Sequence, residues 1–534
     1  MKRKAVYPPP FVFFRAAPAP LPAFLCAALL LFSAGRAPAQ NAAGSGGFPR
    51  IEPDPGALEY AGKQAGGYTW EDLAEISLWA SGAGGGQGNP AAAGGNAYLG
   101  RIRDAAAELG TDPDLPVGSR ERGEYVLAYM HRKFLKSYSL NQTRVDTLLS
   151  NGRYNCVSSA VLYLILARSA GLDVRGVMTR DHAFAVVYAG DETVDVETTN
   201  PYGFDPGNRR EFHDGFGRLT GFVYVPAKNY RDRAGITPVE LVSLILANRI
   251  SEHERQNRFA EAVPLAVDRA ALLLGRAYAD TGAAETADSE ASFSEAPFFE
   301  DPRRDMMNRF FNYGAFLLKS GREEDCLRWA AFAGGRYPDE KRWQEFVFAA
   351  ANNRIQKLVK AGRVEEAQNF LAANRDVLNS AGYNQLDSML ADTELFGRAS
   401  RVKNAGEAEA LLADIETAYG SVRLGAERAE ELRTFVILKT AALLSAAPGR
   451  DWLAAINYIN NTLARYGSNR ELEQALQNYH SNRITDFHNR FAAAFNKRNF
   501  EEAEKILAEG FGEFPDNRRL ADDKAALDRV KNRN

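Results

Sequence analysis

The apolar positions of this chain fall into three rhythms. One stretch, Ala160–Ala167 with Val161-Leu162-Tyr163-Leu164-Ile165-Leu166 at its centre, is apolar on every face. It predicts a buried helix of about four turns, closed by Gly171 as the residue just beyond its C-cap. Short alternating segments come next. Val174–Met178, Asp181–Tyr188 and Thr193–Thr198 predict strands, and Gly221–Val225 a further one. Amphipathic stretches precede them. Thr69-Trp70-Glu71-Asp72 reads as a capping box opening a helix through Ala80. Helices are also expected over Ala97–Leu109 and Arg120–Leu135, the latter with Tyr125, Leu127, Met130 and Phe134 opposite Glu124 and Arg132. Gly82–Gly95 and Pro201–Arg210 read as loops, and 40–55 as a Gly/Ala/Pro-rich linker.

From Thr237 onward the third rhythm is helical throughout, and short signatures recur in it. Asn257-Arg258-Phe259-Ala260-Glu261-Ala262, Gly321-Arg322-Glu323-Glu324-Asp325-Cys326, Gly362-Arg363-Val364-Glu365-Glu366-Ala367 and Arg498-Asn499-Phe500-Glu501-Glu502-Ala503 share one frame: a turn with Gly or Asn, then a small residue in the second helix. Pro338 and Pro515 end two of these units. The frame resembles the tetratricopeptide repeat, with helix pairs longer than usual, since Gly321 and Gly362 lie about 41 residues apart. The small residue lets the second helix approach the first. Cys326 holds that place and reads as a small buried thiol. The Ala/Glu/Ser/Asp stretch 280–300 is too polar to bury a core and reads as a disordered loop.

The chemistry gathers at the start of the apolar helix. Cys156 follows the polar turn Asn151-Gly152-Arg153 and falls in the first helical turn, where unpaired N–H groups and the helix dipole favour a thiolate nucleophile. His182 opens the second strand, and Asp195 and Glu197 lie on the third. A thiol, an imidazole base and an acid to orient it form the minimal set for covalent acyl chemistry. Asn155 and Tyr154 are candidates for an oxyanion site together with the Cys156 N–H. His213 is a rival base, ranked below His182 because it does not open a core strand.

A cysteine opening a buried helix, then Gly171-Leu172-x-Val174-Arg175-Gly176-Val177, His182-Ala183-Phe184-Ala185-Val186-Val187-Tyr188 and Val194-Asp195-Val196-Glu197-Thr198-Thr199-Asn200-Pro201, resembles the transglutaminase-like cysteine superfamily over roughly Arg120–Pro206. That resemblance implies a papain-like α+β core with a Cys–His–acid triad at Cys156, His182 and either Glu197 or Asp195. Glu197 keeps the acid-x-Thr spacing of the family, while Asp195 keeps its residue type; both lie on one strand face. A Trp usually follows the family histidine closely, where this chain has Phe184.

Composition narrows the setting. The chain has 534 residues, 45% hydrophobic and 25% charged, with a net charge of −3. It is too long for one core, and no basic excess points to nucleic acid. Lys2-Arg3-Lys4, the apolar run Leu21–Phe32 and Ala37-Pro38-Ala39 read as a secretory signal over 1–39. Cys26 leaves with that leader. Of the remaining cysteines, Cys156 and Cys326 fall in different expected domains, so no disulfide is expected between them. No metal-ligand spacing appears among six histidines, and no cofactor is implied.

The expected fold class is thus an α+β papain-like, transglutaminase-like domain over 56–233, followed by an all-α helical-repeat (TPR-like solenoid) domain over 237–534. The expected function is that of an exported, periplasmic or secreted, thiol-dependent acyl-transfer enzyme that hydrolyses peptide or amide bonds. Its expected partners are a protein or peptide substrate and a protein on the repeats, with no nucleic acid and no membrane span after signal cleavage. The alternative is a non-catalytic exported adaptor that uses the same platform and repeats to bind proteins.

Overall fold

The computed structural model describes residues 47–64, 67–83, 91–180, 182–207, 212, 233–275, 278, 300–446 and 451–532. The expected leader with its expected cleavage site, Asp181, His213, the expected strand 221–225 and nearly all of the expected loop 280–300 lie outside them. The chain divides into two compact units, Met1–Glu340 and Lys341–Asn534.

The first unit is built around one helix. Helices α1 (Pro55–Gly62), α2 (Trp70–Ala80), α3 (Ala91–Thr111), α4 (Ser119–Lys133) and α5 (Val145–Asn151) lead to α6 (Cys156–Ser169). Every residue of α6 from Val157 to Ala167 is buried, which suits a stretch with no polar face. Asn155 starts it: its side chain accepts the Ser158 N–H while the Ser158 hydroxyl accepts the Asn155 N–H, a closed capping box. Gly171 ends it at a φ of +81°, with the Leu172 N–H returning to the Ala167 carbonyl. The expected capping box at Thr69 likewise opens α2. Around α6 pack α2, α3, α4 and α5.

The strands make two small sheets. β1 (Ser137–Tyr138) pairs in parallel with β2 (Arg153–Tyr154), setting Tyr138 beside Tyr154. β3 (Asp173–Met178), β4 (Ala183–Ala189), β5 (Glu192–Val196) and β6 (Ala234–Ile236) form an antiparallel sheet in the order β5-β4-β3-β6. Ala183, Ala185 and Val187 of β4 face the main core, while Phe184, Val186 and Val177 form a separate buried cluster on the other face. This is the period-2 alternation read from the sequence. Four helices complete the unit: α7 (Pro238–Arg255), α8 (Phe259–Leu274), α9 (Pro302–Lys319) and α10 (Glu323–Arg336).

The expected fold class requires correction. The described residues are 70% helical, with 19 helices against six strands of at most seven residues. The described residues are therefore predominantly helical in both units, not a papain-like α+β domain joined to a helical array. The physical reason lies in α7. Its residues Leu241, Val242, Ile245 and Leu246 are fully or almost fully buried, and it packs on α2, α6 and β3. Helices, not strands, supply most of the cover for α6, and the expected boundary at 233–237 falls inside the first unit. The motif-bearing segment is a small sheet inserted in a helical body.

The second unit is a run of helices: α11 (Arg342–Lys360), α12 (Val364–Ala373), α13 (Ser380–Ala399), α14 (Ala405–Gly420), α15 (Ala426–Ala446), α16 (Trp452–Tyr466), α17 (Arg470–Asn496), α18 (Phe500–Glu513) and α19 (Arg518–Lys531). Each packs on its neighbour in sequence, and α11, α13, α15, α17 and α19 also pack each on the next of that series. This is the nearest-neighbour arrangement of a stacked helical-hairpin array. The recurrent signatures mark one repeated turn, found in both units. Asn257, Gly321, Gly362 and Arg498 all take positive φ, and the next residue donates its N–H to the carbonyl five residues back. Val422 makes another such turn that no signature announced; it is a β-branched residue at φ +60°. The small residues Ala262, Cys326, Ala367 and Ala503 are all buried to 1% or less.

Candidate active site

Cys156 is the first residue of α6 and is partly exposed, in contrast to the sealed helix behind it. His182 stands just before β4, and Glu197 just after β5. Strand pairing alone would set Glu197 beyond the ladder, because the last β4–β5 pair is Ala185 with Val196. The acid is instead held by its own turn. Its N–H donates to the Gly203 carbonyl at 2.8 Å, and the Gly203 N–H returns to the Asn200 carbonyl at 3.0 Å. A Cβ on Gly203 would lie 1.9 Å from the Glu197 carbonyl oxygen. Only glycine lets this turn close.

These elements bring three sequence-predicted residues together. The His182 Nε2 donates to Glu197 Oε2 at 2.5 Å, and the Cys156 thiol is a second hydrogen-bonding partner of the ring. With Nε2 committed to the acid, Nδ1 is the nitrogen left for sulfur. The other carboxylate oxygen, Oε1, accepts from the Thr199 hydroxyl at 2.6 Å and the Thr199 N–H at 3.2 Å. Glu197 is 2% exposed, so its charge survives burial because both oxygens are satisfied.

Charge follows from that geometry. Burial opposes an imidazolium at His182, but the Glu197 charge and hydrogen bonds to Cys156 and Glu197 outweigh it and hold the ring's pKa well above its usual value. Burial likewise opposes the Glu197 carboxylate, yet His182 and Thr199 bring its pKa below the ordinary range. Both shifts favour the ion pair over the neutral pair.

Asp195 is not part of this group. It accepts two hydrogen bonds from Arg233, one at 2.6 Å, and Arg233 lies over the Phe184 ring at 5.2 Å. Phe184 in turn stacks on His182 at 6.0 Å. The oxyanion candidates are also engaged elsewhere. The Tyr154 hydroxyl donates to the Thr199 carbonyl at 3.1 Å, and the Asn155 amide caps α6 and donates to the Leu140 carbonyl at 3.2 Å. Ahead of the capped Ser158 N–H, the Cys156 and Val157 N–H groups stand at the N-terminus of α6, where no preceding helical carbonyl reaches them.

Two residues near the triad escaped sequence reading. Tyr138, placed by β1–β2 pairing, packs edge-on against Tyr154 at 5.9 Å; burial, Cys156 and Glu197 keep its hydroxyl protonated. His131 of α4 lies 3.1 Å from the Thr198 carbonyl through Nε2. Its signal was present, since it falls one turn after buried Leu127, on the core side of the helix. Among the described residues no group of three or more His, Cys, Asp and Glu is placed to hold a metal ion, and no helix is long and apolar enough to cross a membrane.

No family model matches the chain, and no curated protein matches it. Among solved structures it is similar to the crystal structure of menin that reveals the binding site for Mixed Lineage Leukemia (MLL) protein, at 13% identity, over 81% of this chain and 92% of that one, with a TM-score of 0.30. A superposition that loose carries no argument about this chain's fold or activity.

Proposed function

We propose that the protein is an exported thiol-dependent acyl-transfer enzyme that hydrolyses peptide or amide bonds, similar in its chemistry to the transglutaminase-like cysteine enzymes, with its helical repeats serving to bind protein. The observation that supports this reading is the unbroken line of contacts from Cys156 through His182 to Glu197. In that reading Cys156 attacks the carbonyl carbon and the tetrahedral oxyanion is met by first-turn N–H groups of α6. His182 gives its proton to the leaving amine, then takes one from water as the thioester is hydrolysed. Glu197 stays ionised and stabilises the imidazolium.

A peptidyl vinyl sulfone, which traps an activated cysteine as a thioether, tests it. Mass spectrometry of the treated full chain is expected to find the adduct on Cys156 and none on Cys326, and His182→Ala is expected to abolish it. Absence of the adduct from Cys156, or an adduct indifferent to His182, overturns the enzyme reading in favour of a binding platform.

A further inference from the structure

The acid of the triad hangs on a turn beyond the end of its strand, and the turn is held from outside. Three elements grip the two residues that follow Glu197. The Thr198 carbonyl faces His131 Nε2 at 3.1 Å. The Thr199 carbonyl accepts the Tyr154 hydroxyl at 3.1 Å. The Thr198 hydroxyl pairs with the Ser159 hydroxyl of α6 at 2.8 Å. His131 and Tyr154 also brace one another, ring edge to ring face, at 6.3 Å. Thr199, held in this way, is the residue whose N–H and hydroxyl fix Glu197 Oε1.

A carbonyl oxygen can only accept, so His131 must carry its proton on Nε2. We propose that His131 is a positioning residue: a neutral imidazole, locked in the Nε2–H tautomer, that pins the Thr198 carbonyl and thereby aims Glu197 at His182. The proposal rests on the reading of Cys156, His182 and Glu197 as a working set. The groups facing His131 are Thr198, Tyr154 and, through space, Glu197. Burial drives its pKa down to about 4 despite the Thr198 carbonyl and the Glu197 charge, so the donor does not change state across neutral pH. A lysine or arginine at the same place would put a permanent cation beside Glu197 in competition with His182. A neutral histidine supplies the hydrogen bond without the charge.

The test is nuclear magnetic resonance of the histidine rings in the full chain labelled with 15N-histidine, which reads both tautomer and titration. In the unaltered protein His131 is expected to show a protonated Nε2 and a bare Nδ1 from pH 5 to 8; an Nδ1–H tautomer overturns the proposal. His131→Phe keeps the ring and removes the donor. It is expected to lower the His182 midpoint by about one pH unit, as an opposite charge within hydrogen-bonding reach is loosened. His131→Gln, which restores an N–H, is expected to return the midpoint to that of the unaltered protein. An unmoved midpoint in His131→Phe, or equal lowering in both variants, overturns the proposal. Where His131→Phe does not fold, Tyr154→Phe, which loosens the neighbouring carbonyl alone, is expected to lower the same midpoint by a smaller amount; an unmoved midpoint there overturns it too. The vinyl sulfone result is separate. If Cys156 takes no adduct while His131→Phe still shifts His182, the enzyme reading falls and the positioning role stands.

Discussion

Cys156 and Cys326 both sit in the opening turn of a helix, and they could hardly differ more. Cys156 is at the first position of α6, partly exposed, against the His182 imidazole. Cys326 is at the fourth position of α10, fully buried, behind the acidic turn Glu323-Glu324-Asp325. Burial, then the Glu323 charge, pushes the Cys326 thiol up to about 12. The helix dipole acts at both places, so it does not decide reactivity. What decides is whether a cation-forming partner arrives from elsewhere in the chain. At Cys156 one arrives from the residue just before β4, itself backed by an acid from a turn after β5. At Cys326 the surroundings are those of a local hairpin, and a small side chain is all that position needs.

The widest expected gap between the two is in alkylation. At pH 7 iodoacetamide is expected to label Cys156 about a thousandfold faster than Cys326 in the folded chain, since a thiol near 12 is almost wholly protonated there. Peptide mapping after timed quenches measures it, and comparable rates at both sites would erase the contrast.

Gly203→Ala attacks the contrast from the acid side. The added methyl cannot coexist with the Glu197 carbonyl, so the turn must open, with an expected loss of about 3 kcal/mol of stability. Alkylation of Cys156 should also become less dependent on His182. A variant with unchanged denaturant midpoint and unchanged labelling would show that the turn does not hold the acid.

Glu197→Gln sharpens the comparison through pH. A carboxylate whose pKa is depressed on folding adds stability above its ordinary value near 4.5, lost as pH falls through the folded value. An imidazole whose pKa is raised adds stability below its ordinary value near 6.5, lost as pH rises through the folded value. The pair therefore contributes most between about 4.5 and 6.5. The stability difference between the unaltered protein and Glu197→Gln is expected to peak in that window at about 2 kcal/mol, read from urea unfolding at stepped pH. A difference flat with pH would deny the ion pair.

The smallest effect is expected at the inert cysteine. Cys326→Ala places there the residue found at Ala367 and Ala503, and should cost about 1 kcal/mol or less with no change in Cys156 labelling. A larger loss in the thermal melt would mean that the thiol does more than fill its place.

The sequence by itself determined the local features of this protein. The helix Cys156–Ser169 with its buried run, the strands that follow His182 and precede Glu197, the capping box at Thr69 and the repeated turns at Asn257, Gly321, Gly362 and Arg498 were all legible. Each rests on periodicity or on residues adjacent in the chain, which propensity and hydrogen-bond geometry reach directly. Tertiary structure decided the rest. Asp195 and Glu197 lie two residues apart and read alike in the sequence, and only the turn closed by Gly203 sends Glu197 to His182 while Arg233 claims Asp195. His131 gained its place only because α4 packs beneath that turn. The fold class was misjudged for the same reason. Nothing local in Leu241, Val242, Ile245 and Leu246 says that their helix covers α6 and β3, because burial is a property of what the folded chain brings against a residue, not of the residue itself.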